Sequence, residues 1–448
     1  MLLLKDIKIE LKCQGFEAKQ IGFSPNNDKV VVFFQSTQQT KDVHCPVCNG
    51  EVHIYDSFDI ELKDMPIFVD MPLSLCCFGH RYRCIKCKHT FTEEIPFAYP
   101  GTRITKKAAN WIKSFLKNNI SIKAIQNITG IHWDTIRKVQ QEIIDKALKE
   151  REIELSETNY KPRYLAVDEF AIHKGHSYAT TVMDIETGDI LWVGKGRSIN
   201  DFEKFFQETN PNTLSAVMAV AMDMNASYNK LVAKYLPHAE IVYDRYHMQA
   251  QFGKEVLGVV RLEEARKHKQ MSEKILADIN DDTDKETKRE LKSQAKIEKQ
   301  NYSKLKKARW TLLMNNAKLS EARSEHLKTI LSEHQDLAVC YAMKEEMCRL
   351  FAMTDPVLAQ TGWNNWFKAA EESNIPALER FARLKKTRIH GLIAHAAYPI
   401  NTGKLEGFNN KIKVAKRIGY GYRDDNYFFR LIRYLALPSV KSSSPNFP

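Results

Sequence analysis

The runs Arg163-Tyr-Leu-Ala-Val-Asp168-Glu-Phe170, Tyr178-Ala-Thr-Thr-Val-Met-Asp184 and Ile190-Leu-Trp-Val193 decide the fold. Each is of strand length and rich in β-branched, aromatic and small apolar residues, and the turn Glu186-Thr-Gly-Asp189 separates the second from the third. They predict an antiparallel meander whose first strand ends in an acid. Downstream the pattern alternates. A helix over 199–209, entered through Asn200-Asp201, is followed by a fully apolar fourth strand from Leu214 to Asp223. A helix over 225–236 then leads to a fifth strand, Glu240-Ile-Val-Tyr-Asp244. One strand-end acid means little, because Asp is common in turns. Two at matching strand ends, 55 residues apart, point to a site.

Three antiparallel strands followed by helix, strand, helix, strand is the order of a ribonuclease H-like mixed α/β sheet. In that layout the first and fourth strands are neighbours, so Asp168 and Asp223 are expected to face each other. Asp244 also ends an apolar strand and competes with Asp223 for the second position. Residues 252–396 read as a helical insertion, in which Arg261 to Arg309 form a long charged helix pair whose default meaning is a solvated face. Trp310, Trp363, Trp366 and Phe381 fall in helical patterns and are expected in its core. Beyond it, Asn401-Thr-Gly-Lys-Leu-Glu406-Gly-Phe-Asn-Asn-Lys-Ile-Lys-Val-Ala-Lys-Arg417 reads as a helix from Lys404. One acid, Glu406, is embedded there among Lys411, Lys413, Lys416 and Arg417, which suits a carboxylate surrounded by DNA phosphates.

The N-terminal part carries different chemistry. Cys45-Pro-Val-Cys48 and Cys84-Ile-Lys-Cys87 are two CxxC pairs, each putting two thiolates on one tight turn. Four such ligands make a closed tetrahedral Zn²⁺ site, structural because no position stays open for chemistry. Cys76 and Cys77 lie in an apolar strand, Leu73 to Phe78, and are expected in the core. After Pro100-Gly101 comes a short helix from Ser121 to Ile128, the turn Thr129-Gly130-Ile131, and a helix from His132 to Ile144 with apolar Ile136, Val139 and Ile143. That is the helix-turn-helix pattern, and the outward face of its second helix offers His132, Thr135, Lys138 and Gln141 to a DNA groove. A charged linker helix is expected from Lys146 to Lys161.

The chain is thus expected to be an α+β multidomain protein. A zinc-ribbon domain takes 1–98 and a helix-turn-helix domain 101–150. The sheet domain takes 160–251 and 397–436, split by the all-α insertion, and a disordered tail takes 437–448. Sixty-seven Lys and Arg against 55 Asp and Glu give a net charge of +12, which favours an anionic partner, nucleic acid before membrane surface. No run of 18 apolar residues is present, so no membrane span is expected. The N-terminus lacks a signal-peptide pattern, and thiols kept for metal fit a reducing cytoplasm.

Together these segments resemble bacterial insertion-sequence transposases of the DDE type with an N-terminal zinc-binding domain. The likeness runs from residue 45 to about 435 through CPVC, RCIKC, VDEF, YATTVMD, AMDM, YDRYHMQ, KKARW and NTGKLEGFNNKIKVAKRIGYGYRD. It implies a catalytic, metal-holding triad of Asp168, Asp223 and Glu406. Two Mg²⁺ or Mn²⁺ ions are implied, with Asp168 bridging them, Asp223 on one and Glu406 on the other. The Asp244-x-x-His247 element matches a further DDE signature. His247 is expected either beside the scissile phosphate or orienting the site, or as a structural histidine bonded to Asp244. The resemblance also implies double-stranded DNA as partner, both element ends with inverted repeats and target DNA. At least a dimer is implied in the synaptic complex, acting at the cytoplasmic nucleoid. Three alternatives stand beside it: a non-catalytic zinc and helix-turn-helix regulator, another ribonuclease H-like nuclease, and a coiled-coil protein built on residues 261–309.

Overall fold

The structure, a computed structural model, describes residues 13, 15–68, 71–173, 177–280, 283–314 and 319–441. The chain divides into two compact units. One is built from Met1–Leu155 with Lys413–Leu435 and Ser439–Pro448, the other from Ser156–Ile412 with Ala436–Pro438.

In the first unit, β1 (Phe16–Phe23), β2 (Val30–Ser36), β3 (Val52–Phe68), β4 (Met71–Cys84) and β5 (Thr90–Thr92) form one sheet in the order β1-β2-β4-β3, with β5 against β4. β3 and β4 pair antiparallel from Phe68↔Met71 to Val52↔Cys84, while β2 runs parallel to β4. Phe16, Val32, Phe34, Leu62, Leu75 and Cys77 bury one face. Cys77 is a core residue as expected, and burial pushes its thiol up to about 12, so it stays protonated and inert. Its neighbour Cys76 points to the other face and is only half-buried.

α1 (Lys106–Lys117), α2 (Ile122–Thr129) and α3 (Trp133–Glu157) follow. Thr105 and Ser121 cap α1 and α2 by accepting from the N–H groups of Ala108 and Ala124. Gly130 ends α2 at φ +64°, a left-handed conformation that costs a residue with a Cβ, and the chain turns directly into α3. Ala108, Ile112, Ile125, Ile131, Ile136 and Val139 form the shared core. One expectation is corrected here. The helix ending at Ile144 and the linker helix from Lys146 are a single helix of 25 residues, because no Gly or Pro interrupts them.

The second unit begins with β6 (Tyr164–His173), β7 (Ser177–Asp184), β8 (Ile190–Lys195), α4 (Ile199–Glu208), β9 (Ala219–Met222), α5 (Ala226–Tyr235) and β10 (Glu240–Tyr243). The sheet order is β10-β9-β6-β7-β8; β7 is antiparallel to both of its neighbours, β6 and β8, and β9 and β10 lie parallel to β6. Two details differ from the sequence reading. β6 does not end at Asp168 but runs on to His173, because its pairing with β7 outlasts its pairing with β9. β9 is four residues long, and Leu214 and Val217 are apolar because the turn before it is buried.

The rest is helical: α6 (Arg245–Phe252), a π-helical turn (Gly253–Leu257), α7 (Gly258–Ala277), α8 (Lys285–Lys307) and α9 (Arg309–Leu313). Then follow α10 (Glu321–Glu333), α11 (Gln335–Leu350), α12 (Pro356–Glu371), α13 (Pro376–Lys386) and α14 (Ile389–Ala397). The chain closes with α15 (Gly403–Ile418), α16 (Asp425–Ala436) and α17 (Pro438–Lys441). Phe252, Trp363, Trp366, Phe367 and Phe381 anchor the core of the helical part, and α7 and α8 pair as a hairpin. The buried Arg261 guanidinium donates to the carbonyls of Leu305 and Lys306 (2.9 and 2.8 Å), satisfying the end of α8. Trp310 is not core. It is 68% exposed, because Leu312, two positions on and so across the helix, is the buried residue of the short α9. Of the expected disordered tail, Pro438–Lys441 are helical and 442–448 lie outside the described residues. Among the described residues no helix is long and apolar enough to cross a membrane.

Candidate catalytic and metal centres

Strand register builds the acidic site. Each paired β6 residue sits opposite the β9 residue 55 positions later, from Tyr164↔Ala219 to Ala166↔Ala221. Continued past the last pair, the same step brings Asp168 towards Asp223, which follows directly on β9 and whose charge acts on Asp168. On the other side β10 pairs with β9 up to Tyr243↔Met222, and the Asp244 N–H donates to the Met222 carbonyl (3.1 Å). Asp223 and Asp244 thus follow directly on the ends of β9 and β10, while Asp168 lies within β6. Glu406 comes from the first turn of α15.

His247, in the first turn of α6, connects them. Its Nδ1 lies 2.9 Å from Asp223 Oδ1 and its Nε2 3.5 Å from Glu406 Oε1. The hydrogen bond to Asp223 leads in raising its pKa to about 9; burial opposes this, and the charges of Asp223, Asp244 and Asp168 add to it. The imidazole is thus a cation at neutral pH, set between two carboxylates. Asp168 is pushed up to about 6, first by burial; the Glu169 N–H opposes the rise, and the charges of Asp223 and Glu406 reinforce it. Asn409, one turn beyond Glu406, donates from Nδ2 to Asp168 Oδ2 (2.7 Å). Its Oδ1 is buried without a hydrogen bond, and so is Asp223 Oδ1 apart from its imidazole contact.

Asp244, His247 and Glu406 also lie close enough to hold a metal, with one ligand atom of each within 4.8 Å of the others. Asp244 is nevertheless poorly suited. Its Oδ1 accepts the N–H groups of Tyr246 and His247 (2.7 and 3.3 Å), capping α6, and its Oδ2 accepts the Thr402 N–H and hydroxyl (both 2.8 Å). Four donors occupy the lone pairs of the two oxygens. The imidazole of His247 is not bonded to Asp244; only its backbone is.

Asn409, Thr402 and Arg245 were not singled out in the sequence. Asn409 had a local signal, its i,i+3 spacing from Glu406. The Asp244–Thr402 contact spans 158 residues and has none. Beside Glu406 opens a cavity of about 550 Å³ lined by Arg245, Tyr246, Gln249, Asn401 and Gly403. Arg245 there is exposed and forms no ion pair among the described residues.

At the open end of the β3–β4 hairpin the four cysteine sulfurs Cys45, Cys48, Cys84 and Cys87 lie within 4.8 Å of one another, with Cys45–Cys87 and Cys48–Cys84 at 3.5 Å. A tetrahedral Zn²⁺ with bonds of about 2.3 Å spaces its sulfurs by roughly 3.8 Å. The Cys87 N–H leads in holding the Cys84 thiol down to about 6, while against the His89 N–H the sulfurs of Cys48, Cys45 and Cys84 push the Cys87 thiol up to about 12, so the cluster shares its protons unevenly. A Cβ on Gly50 would come 3.3 and 3.4 Å from the sulfurs of Cys48 and Cys84, so a side chain there would crowd the cradle by a few tenths of an ångström.

The groove candidates on α3 separate. His132 precedes the helix, is exposed and contacts Asp134 (3.2 Å), while Thr135 and Gln141 are half-buried. The Lys138 ammonium donates to the carbonyls of Pro100 and Gly101 (3.1 and 3.2 Å) and so braces the loop before α1. On α15, Lys413 and Arg417 are exposed one turn apart, whereas Lys411 and Lys416 are half-buried.

A family model described as transposase matches residues 165–432, which contain all four acids and His247. The transposase for insertion sequence element IS1001 of Bordetella parapertussis is 30% identical over 422 residues, 94% of this chain and 95% of that protein. The transposase for insertion sequence element IS1557 of Mycobacterium tuberculosis is 24% identical over 292 residues, 64% of this chain and 62% of that one. With more than half of the chain matched by the family and nearly all of it by one relative, the chain belongs to the insertion-sequence DDE transposases.

Proposed function

We propose that this chain binds the terminal inverted repeats of an insertion sequence and cuts and rejoins DNA there, with Asp168, Asp223 and Glu406 as the triad of a ribonuclease H-like domain. The observation that carries the reading is that the charges of Asp223 and Glu406 both act on the buried Asp168, with Glu406 joined to Asp223 through one imidazole. The donor set fits hard divalent cations such as Mg²⁺ or Mn²⁺: carboxylate oxygens, plus a buried Asn409 oxygen with no hydrogen bond among the described residues. When bound, such ions supply the charge that stabilises a pentavalent phosphorus and lowers the pKa of an attacking water. Asp168, Asp223 and Glu406 would hold them.

The other residues prepare that site. Asn409 orients the Asp168 carboxylate, and His247 offsets part of the acidic charge while spacing Asp223 from Glu406. Arg245 presents a cation to backbone phosphate beside Glu406. The four cysteines hold one structural Zn²⁺ in a ribbon. That ribbon and the helix-turn-helix of α2 and α3 read the element ends, with Lys413 and Arg417 on backbone phosphate. Joining two ends to a target requires at least two copies of the chain in the active complex, working on the chromosome in the cytoplasm.

The test is cleavage of DNA carrying the flanking inverted repeats, with Mg²⁺, by wild type and by Asp168→Ala, Asp223→Ala and Glu406→Ala. Each substitution is expected to abolish cutting while end binding persists. Unchanged cutting by all three would sink the triad, and binding with no cutting even by wild type would leave a DNA-binding regulator.

A further inference from the structure

Asp244 and Thr402 mark the two points where the helical insertion leaves the sheet and returns to it. We infer that Asp244 is a positioning residue, whose carboxylate latches the start of α15 to the start of α6 and so sets where Glu406 stands. The inference rests on the triad reading above. Asp244 is 3% exposed and Thr402 1%, so water does not compete for their hydrogen bonds. The Thr402 carbonyl accepts the Glu406 N–H (2.8 Å), the first bond of α15. A single carboxylate is therefore one hydrogen bond from the backbone of His247 and one helical turn from Glu406. Lys404 gives this helix start a second tie, its ammonium donating to the Ile185 carbonyl (2.6 Å), but that pair is solvent-exposed.

Closing a loop of 158 residues is entropically unfavourable, and without the latch the position of Glu406 depends on the packing of the whole insertion. Burial by itself would raise the pKa of Asp244. The Thr402 N–H and hydroxyl, with the N–H groups of Tyr246 and His247, outweigh it and hold the carboxyl below the usual range. The latch is thus charged whenever the site is. An amide at this position keeps the shape but turns one acceptor into a donor facing donors.

The experiment uses full-length Asp244→Asn, Thr402→Val, Thr402→Ser and the Asp244→Asn/Thr402→Val pair. Free Mn²⁺ is followed by electron paramagnetic resonance without DNA, and end cleavage is followed across a Mn²⁺ titration. Asp244→Asn and Thr402→Val are expected to raise the Mn²⁺ half-saturation about 10-fold, with cleavage largely restored at high Mn²⁺. Thr402→Ser should match wild type, and the double variant should be no weaker than Asp244→Asn alone, since both break one contact. An unchanged half-saturation in Asp244→Asn overturns the inference. So does cleavage lost in Asp244→Asn at every Mn²⁺ concentration while Thr402→Val behaves as wild type, which marks Asp244 as a metal ligand. Should Asp244→Asn fail to fold, equal Mn²⁺ affinity of the Val and Ser variants overturns it. Asp223→Ala runs in parallel: wild-type cleavage by that variant defeats the triad reading, whatever the latch variants do.

Discussion

His247 stands where two carboxylates need a positive neighbour, 2.9 Å from Asp223 and 3.5 Å from Glu406. Its pKa is raised to about 9 from an ordinary 6.5, so in metal-free protein its contribution to stability is full below pH 6.5. That contribution is lost as pH rises through 9. His247→Gln should therefore flatten the fall in urea midpoint between pH 6.5 and 9, the difference at the acid end being at most about 3 kcal/mol. A slope unchanged by the substitution would mean that the imidazole is neutral. Asp244 behaves oppositely. Its depressed pKa makes its contribution present above the ordinary carboxylate value and lost on acidification through the lower one. At neutral pH Asp244→Asn should cost about 1–3 kcal/mol in urea unfolding, the penalty of leaving buried donors unsatisfied, and the cost should shrink below about pH 4.

At the scale of elements, the facing acids could be read from sequence because strand order is a long-range statement encoded in local periodicity. Apolar runs and turn residues identify the strands, and the topology then brings Asp168 beside Asp223 without any contact being known. The two CxxC turns were legible for the same reason, each being a complete local motif. What could not be read is what depends on a partner. The extent of β6 past Asp168 is set by β7, and the outward side of Trp310 by the buried Leu312 across α9. The Asp244–Thr402 tie joins residues with no shared pattern. Two elements invite direct tests. A strong chelator should release one Zn²⁺ per chain and lower the thermal midpoint, and Cys84→Ser should do the same; a metal-free preparation of unchanged midpoint would dismiss the ribbon. In the turn between α2 and α3, Gly130→Ala should destabilise by about 1 kcal/mol, read as a shifted urea midpoint, because φ +64° is unfavourable with a Cβ.

For the molecule as a whole, a net charge of +12 makes DNA affinity strongly dependent on salt. Lys413→Ala and Arg417→Ala should each reduce the slope of log affinity against log salt by about 0.9 if each meets one phosphate, measured by fluorescence anisotropy on an end fragment. An unaltered slope would remove those two cations from the DNA-contacting face. Both belong to the segment Lys413–Leu435, which completes the first unit rather than the second. There Arg137 of α3 reaches Asp424 at 2.6 Å and lies over the rings of Trp133 and Tyr427, and Arg430 reaches Asp145 at 3.1 Å. The unit that opens the chain is thus closed by residues near its end. The side of α3 that Asp424 and Tyr427 meet stays uncovered until the segment Lys413–Leu435 has been made. A chain cut before Lys413 would leave the first unit without that cover.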